Sequence, residues 1–359
     1  MSDNKKIALF EPLQLRDVIF PNRIVMSPMC QYSAKEGVPN AWHLVHYGSR
    51  AVGGASLLMT EATAVLHEGR ITPFDAGLWN DEQQNNWSQV VRFVEQQGAV
   101  MGIQLGHAGR KASTLPPWKG AAPILPDEER GWLPLAPSSI PYTEGYANPK
   151  MMSTRDIAAV VDAFVHSAKR AEEAGFRVIE LHAAHGYLLQ SFLSPVTNHR
   201  NDRYGGDREG RMRLLLEVTD AVRSVWPEGN PLFVRISTID WLAEGWQFED
   251  TLALIRELAE RGVDLVDCSS GGINPEARNN ASLDRQREYA FRLKEENILP
   301  IGVVGGVVDA VEANRWLEMG KADLVIIGRA LLRDPHWPLN AAKQLGYPLE
   351  WPVQYDRAK

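Results

Sequence analysis

Four segments of the chain repeat one pattern, in which a helix-like stretch ends at a glycine and a short apolar strand follows. Their sequences are VEQQGAVMGIQLGH, AEEAGFRVIELHAAH, LAERGVDLVDCSSGG and LEMGKADLVIIGRA, and the glycines are Gly98, Gly175, Gly262 and Gly320. Glycine just past a helix end supplies the left-handed backbone conformation that most residues resist. The alternation of helices with almost continuously apolar strands predicts a parallel sheet covered by helices.

Eight short apolar segments are predicted strands, and helix-like stretches separate most of them. The segments are RIVMSP, ASLLMTEA, VMGIQL, RVIELH, PLFVRIS, DLVDCS, PIGVVG and DLVIIG. Eight strand–helix units of this size predict an α/β protein with a (β/α)8 TIM barrel that occupies residues 1–359 as a single domain. An open doubly wound sheet is the alternative fold, but no G-x-G-x-x-G motif follows an early strand.

Two regions lie outside the repeat. Residues 106–150, which follow the third predicted strand, are rich in proline, glycine and tryptophan and are too irregular for a simple connection. A stretch of this kind is predicted to form a capping segment or lid over a site. The polar C-terminal tail, residues 346–359, follows the last predicted helix, and we expect it to lie at a subunit interface or in solvent.

Composition narrows the class of protein. With 44% hydrophobic and 23% charged residues, the 359-residue chain is typical of soluble globular proteins. Its net charge is −7 and it has no block of lysine and arginine, so we expect no nucleic-acid or membrane partner. No run approaches about 18 apolar residues, and MSDNKKIALF does not resemble a signal peptide. The only cysteines, Cys30 and Cys268, form no disulfide framework, and a cytoplasmic location is expected.

Candidate chemistry collects where the predicted strands end, which is where TIM barrels place their active sites. The segment ELHAAHGYLLQSFLSP puts His182, His185 and Tyr187 directly after a buried strand. Such residues are also found in purely structural roles, so this segment alone does not decide the function. The other residues of interest on or after strands are Ser27, Met29, Cys30, Glu61, Ala62, Gln104, His107, Gly305, Gly306, Gly328 and Arg329.

A charged residue inside a buried strand requires a partner. Arg235 lies within PLFVRIS, where an unpaired guanidinium costs several kcal/mol. It therefore forms a buried ion pair with a structural carboxylate or awaits an anionic ligand, and Gln104 poses the same choice with an amide. The glycine turns VVGGV and IIGRA end the last two predicted strands. Barrels often bind phosphate there, through backbone N–H groups.

Metal binding and nucleophilic catalysis by Cys30 are two other possible chemistries for these residues. The motif H-x-x-H occurs at His43/His46 and at His182/His185, but zinc needs three or four ligands and no carboxylate accompanies either pair in a familiar pattern. The spacing of His43 and His46 is helical and indicates a structural role. Cys30 as a nucleophile lacks an assignable histidine–asparagine partner.

Over essentially its whole length, the sequence resembles the Old Yellow Enzyme family of FMN-dependent ene-reductases. It is most similar to the cysteine-containing, thermophilic-like subclass that includes xenobiotic reductase. The resemblance rests on NRIVMSPMCQYSA, TEATAV, GIQLGHAGRKA, IELHAAHGYLLQSFLSPVTNHRNDRYGG, LFVRIS, DLVIIGRALLRDP and PVQYDR.

The resemblance implies an enzyme with non-covalent FMN, reduced by NADPH or NADH, that reduces the C=C bond of enones, enals or nitro compounds. It implies that Tyr187 is the proton donor, that His182 and His185 hold the substrate, and that Tyr32 is a second phenol in contact with the substrate. It also implies a homodimer or homotetramer in which Arg357 enters a neighbouring site. The implied FMN contacts are Ser27, Pro28, Met29, Cys30, Ala62, Gln104, Arg235, Gly305, Gly306, Gly328 and Arg329.

Two further functions remain as alternatives. One is an enoyl-thioester reductase of the larger relatives that carry an iron–sulfur cluster, which two cysteines disfavour. The other is a flavin-free, phosphate-binding lyase or aldolase, for which we find no Schiff-base lysine or metal ligands at strand ends. The chain departs from the shortest relatives in a longer insertion over residues 114–134, and residues 237–250 and 271–280 match weakly.

Overall fold

The computed structural model describes residues 6–359 and contains a closed barrel of eight parallel strands. Consecutive strands pair in chain order, and the last strand pairs with the first. This topology confirms the prediction of a (β/α)8 TIM barrel. The strands are β1 (Ile24–Met26), β2 (Leu57–Ala64), β3 (Val100–Gly106), β4 (Val178–Ala183), β5 (Leu232–Ser237), β6 (Leu265–Ser269), β7 (Ile301–Val304) and β8 (Leu324–Ile327).

Helices connect the strands and follow the last one, and none in the described part of the chain is long and apolar enough to cross a membrane. The four glycines of the sequence repeat all have positive φ, as predicted. The helices are α1 (Ala41–Val52), α2 (Asp81–Gln96), α3 (Thr154–Ala174), α4 (Leu188–Leu193), α5 (Arg208–Arg223), α6 (Phe248–Glu260), α7 (Leu283–Glu295), α8 (Ala310–Glu318), α9 (Arg329–Arg333) and α10 (Trp337–Leu345).

A short hairpin closes the amino end of the barrel. Its strands, Leu13–Leu15 and Val18–Phe20, pair antiparallel. Val18 and Phe20 are buried and pack with the apolar residues that line the barrel interior at the start of the strands. Residues 1–5 of MSDNKKIALF, the segment for which no signal peptide is expected, lie outside the described residues.

The barrel interior changes character along each strand, because alternate residues of a strand point to the same face. The first interior residues of β4, β5 and β6 are apolar: Val178, Phe233 and Leu265. Two positions further on, the same strands carry Glu180, Arg235 and Asp267, and two positions beyond these they carry His182, Ser237 and Ser269. The fold therefore builds an apolar floor, then a charged layer, then a polar rim.

Residues 106–150 lie beside the carboxyl end of the barrel. The segment contains the short helices Gly109–Lys111 and Pro117–Lys119 and a small ladder between Leu135–Ala136 and Lys150–Met151. It is tied to the loop after β2, since Trp132 Nε1 donates to the backbone oxygen of Glu68 at 2.8 Å. These contacts place the segment where a cap over the rim would lie.

The C-terminal tail ends in the short helix Val353–Ala358. Its Tyr355 ring lies 5.6 Å from the ring of His336, which precedes α10. Val353 is 83% exposed and Arg357 is also exposed. The start of the tail packs on its own barrel, because the Tyr347 ring stacks on Phe10 and Leu349 meets the core, whereas residues 353–359 are exposed.

Candidate active site

The charged layer resolves the choice posed by Arg235. Its Nε lies 3.3 Å from Oδ2 of Asp267 on the adjacent strand, and its Nη1 donates to Ser27 Oγ at 3.2 Å. The guanidinium therefore has the structural carboxylate partner that was one of the two alternatives. The pairing is incomplete, because Arg235 Nε and both Asp267 oxygens are buried without a well-formed hydrogen bond among the described residues.

A second carboxylate belongs to the same layer. Glu180 accepts a hydrogen bond from Gln104 Nε2 at 2.7 Å, and both side chains are buried. Burial raises the pKa of Glu180 to about 8, with a further upward contribution from Asp267 that Arg235 and Gln104 partly offset. Burial likewise raises the pKa of Asp267 to about 6, against the opposing effect of Arg235. The layer thus joins two acids, one cation and one amide.

His182, near the end of β4, and His185, just after it, stand directly above this layer. Their rings are perpendicular, with centroids 5.2 Å apart. Nδ1 of His182 accepts the backbone N–H of Ala184 at 3.3 Å, so Nε2 carries the proton of the neutral ring. Burial, and then Arg235, holds the pKa of each histidine well below its usual range. Both imidazoles are therefore neutral at physiological pH.

The backbone of His185 is held by neighbouring loops in a conformation unusual for a residue other than glycine. Its φ is +61°. Its N–H donates to Ser237 Oγ at 3.0 Å, and its carbonyl oxygen accepts from Lys111 Nζ at 2.7 Å. Its Nε2 lies 2.7 Å from the Ser269 hydroxyl. Strands β5 and β6 and the segment after β3 together fix this ring, as is common for strained residues at functional sites.

Tyr187 completes the group at the amino end of α4. Its ring centroid lies 4.9 Å from that of His182, at a steep angle. Lys111 Nζ lies 5.0 Å from the same ring, within range for a cation–π contact. Burial raises the pKa of Tyr187 well above its usual value, so its hydroxyl stays protonated. A small cavity borders both Tyr187 and His182, and Ala62 and Asp75 also line it.

The loop after β1 brings Cys30 and Tyr32 to the same region, and their side chains share a hydrogen bond. Burial, with Asp75 and Glu61 nearby, raises the pKa of the Cys30 thiol well above its usual value. A protonated thiol is a weak nucleophile, which counts against nucleophilic chemistry at Cys30. Tyr32 has a φ of +50°, and its ring meets the edge of Trp118 at 5.6 Å.

His43 lies beside a carboxylate of another element, a partner that the spacing of the sequence does not reveal. Its Nε2 lies 3.0 Å from Glu61 Oε1, and both side chains are fully buried. Its Nδ1 accepts the backbone N–H of Asn40, so a proton on Nε2 faces the carboxylate. The other Glu61 oxygen accepts the N–H of Gln31 at 2.9 Å, which ties α1 and β2 to the loop that carries Cys30. In residues 6–359 no three histidine, cysteine or acidic residues are grouped to hold a metal ion.

The glycine turns after β7 and β8 border a cavity of about 400 Å³, as their predicted role requires. Gly305 and Gly306 have φ values of +125° and +67°, which residues with a Cβ rarely adopt. A Cβ on Gly305 would also come within 2.9 Å of Gln286 Nε2. This cradle and the incompletely paired Arg235 fit the phosphate and the ring of a flavin. The residues named in the sequence that line the cavity are Met29, Gly305, Gly306, Gly328 and Arg329.

Sequence reasoning missed four side chains that contact the site. Glu180 and Asp267 carry the signal that identified Arg235, a charged residue in a buried strand, and that signal could have found them. Ser269 and Lys111 became evident only from the geometry around His185. Arg357 alone of the predicted site residues lies in the exposed tail.

The sequence matches the family model described as NADH:flavin oxidoreductase / NADH oxidase over residues 8–347. It is 45% identical to an NADPH dehydrogenase of Geobacillus thermodenitrificans (strain NG80-2), an alignment that covers 97% of this chain and 98% of the relative. It is 44% identical to an NADPH dehydrogenase of Bacillus subtilis (strain 168), with the same coverage.

Solved structures agree with this assignment. Morphinone reductase in complex with tetrahydroNAD superposes with a TM-score of 0.77 at 29% identity, covering 96% of this chain and 92% of that one. A 2-naphthoyl-CoA reductase complex has a TM-score of 0.84 at 21% identity and covers 95% of this chain and 52% of that one, a likeness of fold alone. With only two cysteines, this chain cannot hold a four-cysteine iron–sulfur cluster.

These matches favour the flavin-dependent enzyme over the flavin-free lyase or aldolase. The catalytic chemistry is oxidoreduction with FMN and NAD(P)H, and the substrates are small molecules. The chain belongs to the NADH:flavin oxidoreductase / NADH oxidase family and is a flavin-dependent reductase of the Old Yellow Enzyme type.

Proposed function

We propose that the protein reduces the carbon–carbon double bond of α,β-unsaturated carbonyl or nitro compounds at the rim of the barrel. The observation that carries the proposal is the perpendicular pair His182/His185, with Tyr187 beside it, directly above the charged layer. FMN, when bound, would supply the redox chemistry, which is hydride transfer from NAD(P)H to the substrate's β-carbon. The protein supplies the groups that orient the substrate and stabilise the charge that develops on it.

His182 and His185 hold the oxygen of the substrate. Negative charge builds on that oxygen as the β-carbon accepts hydride, so two N–H donors aimed at it lower the barrier. A neutral imidazole still has one N–H, and His182 has it on Nε2 because Nδ1 accepts from Ala184. Each such donor is worth on the order of 3 kcal/mol.

Tyr187 donates the proton that the α-carbon requires. Its O–H bond breaks as the new C–H bond forms, and the phenolate regains a proton from solvent. The raised pKa of Tyr187 supports this role, because the phenol remains protonated across the neutral range. Tyr32 is a second phenol that contacts the substrate, and segment 106–150 caps the site through Lys111.

The remaining predicted residues bind the flavin or complete the pocket. The incompletely paired Arg235 and the amide of Gln104 support contacts with the ring. Arg357, exposed on the tail, enters the site of a neighbouring subunit in a homodimer or homotetramer. The other proposed flavin contacts are Ser27, Pro28, Met29, Cys30, Ala62, Gly305, Gly306, Gly328 and Arg329.

Stopped-flow kinetics of Tyr187→Phe test the proposal. The oxidative half-reaction with an enone should slow by about 10²–10⁴-fold, the usual contribution of a positioned general acid. Flavin reduction by NAD(P)H should change far less, because that step needs no proton at carbon. Tyr204→Phe is the control, since Tyr204 donates to Glu217 on α5, away from the rim. Equal slowing of both half-reactions in Tyr187→Phe would contradict the role.

A further inference from the structure

Two carboxylates share a single guanidinium inside the barrel. Asp267 is 0%, Glu180 1% and Arg235 5% exposed, so water screens none of the three effectively. With both acids ionised, the layer would carry a net charge of −1 in a dry interior, which is strongly unfavourable. The layer therefore retains one proton on one of its two acids.

The geometry indicates which acid retains it. Asp267 has the cation as its neighbour, with Arg235 Nε at 3.3 Å. Glu180 instead receives a hydrogen bond from a neutral amide, that of Gln104, at 2.7 Å. The carboxylate nearest the cation keeps its charge at the lowest cost, so the proton resides on Glu180.

The surroundings of Glu180 within the described chain contain few other groups that titrate. Asp267 on β6 raises its pKa, while Arg235 on β5 and Gln104 on β3 lower it, and burial is the largest effect. His182, two residues along β4, is neutral because its own pKa is depressed. The interior side chains of β1, β2, β7 and β8 are uncharged, as is Ser27 just after β1. Those of the strands are Val25, Leu57, Met59, Val304, Leu324 and Ile326.

We propose that in alkaline solution, where Glu180 has lost the proton it otherwise retains, Glu180 binds one proton from solvent when the flavin is reduced, in addition to the hydrogen that the flavin receives as hydride. The inference rests on the proposed contacts of Gln104 and Arg235 with the ring. NAD(P)H gives up a hydride and is oxidised, and the two electrons and one proton of that hydride leave the site one charge more negative. The Glu180 carboxylate then takes a proton to form an O–H bond, and the charge of the layer is balanced.

The coupling has a defined pH window. Below a pH of about 8, Glu180 is protonated before and after reduction, so only the hydrogen of the hydride is taken up. Above that pH, Glu180 is ionised in the oxidised protein and its protonation accompanies reduction. The equilibrium constant for flavin reduction therefore falls 10-fold per pH unit below the break and 100-fold per pH unit above it, up to the pH at which Glu180 loses its proton in the reduced protein as well.

Spectroelectrochemical titration of the FMN-loaded protein between pH 6 and pH 10 tests this coupling. In the unsubstituted protein the dependence of the flavin potential on pH should double in slope above a pH of about 8. Glu180→Gln, a neutral side chain of the same shape, should keep the shallow slope throughout. One pH unit above the break, this variant should be about 10-fold easier to reduce, which is about 30 mV for a two-electron couple.

The matched control is Glu217→Gln on α5, a half-buried carboxylate that hydrogen-bonds Tyr204 outside the barrel interior. This variant should show the same break as the unsubstituted protein. A single shallow slope in the unsubstituted protein, or a break that survives in Glu180→Gln, would overturn the inference.

FMN-free protein gives a readout that does not depend on the flavin. Glu180 has a higher pKa folded than unfolded, so it ionises only in the unfolded chain between a pH of about 4.5 and about 8, and the fold loses stability as pH rises through this window. Relative to Glu180→Gln, the folding equilibrium constant of the unsubstituted protein should fall by up to 10-fold per pH unit in this window and then level off. Parallel stability curves would contradict a protonated Glu180.

Infrared difference spectra on flavin reduction provide a test that needs no variant to fold. At pH 9 a protonated carboxyl band should appear on reduction, and at pH 7 it should be present in both states. Failure of enone reduction with the pH break intact would refute the proposed function and leave Glu180 coupling standing. Enone reduction without a break or a carboxyl band would refute the coupling alone.

Discussion

The floor and the charged layer of the barrel are built on the same strands, two residues apart, yet burial has opposite effects on stability in the two. Val178, Phe233 and Leu265 form the floor and pack against the hairpin residues Val18 and Phe20. Burying such side chains is worth about 1.5–3 kcal/mol each. The floor therefore stabilises the fold and needs no ligand.

In the charged layer above the floor, burial costs stability instead of adding to it. Removing the charged Arg235 and Asp267 from water costs several kcal/mol per charge, and their mutual attraction seldom exceeds that cost. Their contacts are also incomplete, since polar atoms of Arg235 and Asp267 lack well-formed hydrogen bonds among the described residues. The layer is understandable as a site prepared for a ligand, at some expense of stability.

The largest effect is expected from breaking the ion pair of the charged layer, which tests stability and FMN binding separately. Arg235→Met should lower the free energy of unfolding by about 3–5 kcal/mol, because it leaves the buried Asp267 carboxylate without its cation. Adding Asp267→Leu should recover much of that loss, because the buried charge is then removed. FMN affinity should fall in the single variant and remain low in the double variant. Denaturant unfolding and flavin titration measure the two quantities.

A double variant that binds FMN as tightly as the unsubstituted protein would show that the layer does not serve the flavin. A double variant as unstable as the single one would show that charge pairing is not the origin of the loss. Either result would remove the contrast between the layer and the floor.

A large-to-small substitution in the floor should lower the stability of the fold and have little effect on the site. Phe233→Ala removes a buried ring that lies 6.3 Å from Phe20, and should cost about 3–5 kcal/mol of unfolding free energy. Phe93→Ala, in which a ring that is 36% exposed is removed from α2, should cost below about 1 kcal/mol. FMN affinity of the folded protein should change little in both. A large loss of FMN affinity in Phe233→Ala would show that the floor and the site are coupled.

A smaller effect is expected where the rim meets the substrate. His182→Ala should weaken the binding of a phenol to FMN-loaded protein by about 10- to 100-fold, because a hydrogen bond to a charged oxygen is worth about 1.5–3 kcal/mol. His166→Ala on the exposed face of α3 serves as the control. Unchanged phenol affinity in His182→Ala would return this histidine to a structural role.

The sequence predicted the fold and part of the site for identifiable physical reasons. Helix-ending glycines and buried strands are local signals, so the barrel could be predicted without knowing any long-range contact. Arg235 was found because a charge in an apolar strand is unusual wherever its partner lies. The same reasoning applies to Glu180 and Asp267, and a complete reading of charged residues in buried strands would have predicted the whole layer.

Long-range partners were beyond the sequence. His43 meets Glu61 because α1 packs on β2, and nothing in the spacing of the two residues encodes that contact. His185 meets Ser269 across 84 positions of chain. The strained φ of His185 and the Lys111 contact to its carbonyl likewise depend on three loops meeting above the barrel. Such contacts can be predicted only when the register of the strands in the closed barrel is known.

The smallest expected effect concerns Ser269, whose hydroxyl lies 2.7 Å from His185 Nε2. If the hydroxyl donates, Nε2 is the acceptor and the proton of the neutral ring resides on Nδ1, leaving that N–H for the substrate oxygen. Ser269→Ala removes this preference, so a fraction of His185 adopts the other tautomer. We expect phenol affinity to fall by about 10-fold, or about 1.4 kcal/mol.

The adjacent serine provides a matched control. Ser270 donates to Gln286 Oε1 at 2.6 Å, whereas the hydroxyl beside His185 is that of Ser269, so Ser270→Ala should leave phenol affinity unchanged. Nitrogen NMR of the His185 ring should show Nδ1 protonated in the unsubstituted protein and a mixture in Ser269→Ala. Ser269→Thr, which retains the hydroxyl, should restore both readouts. Phenol affinity and tautomer that are the same in all three variants would show that the Ser269 hydroxyl does not set the tautomer of His185.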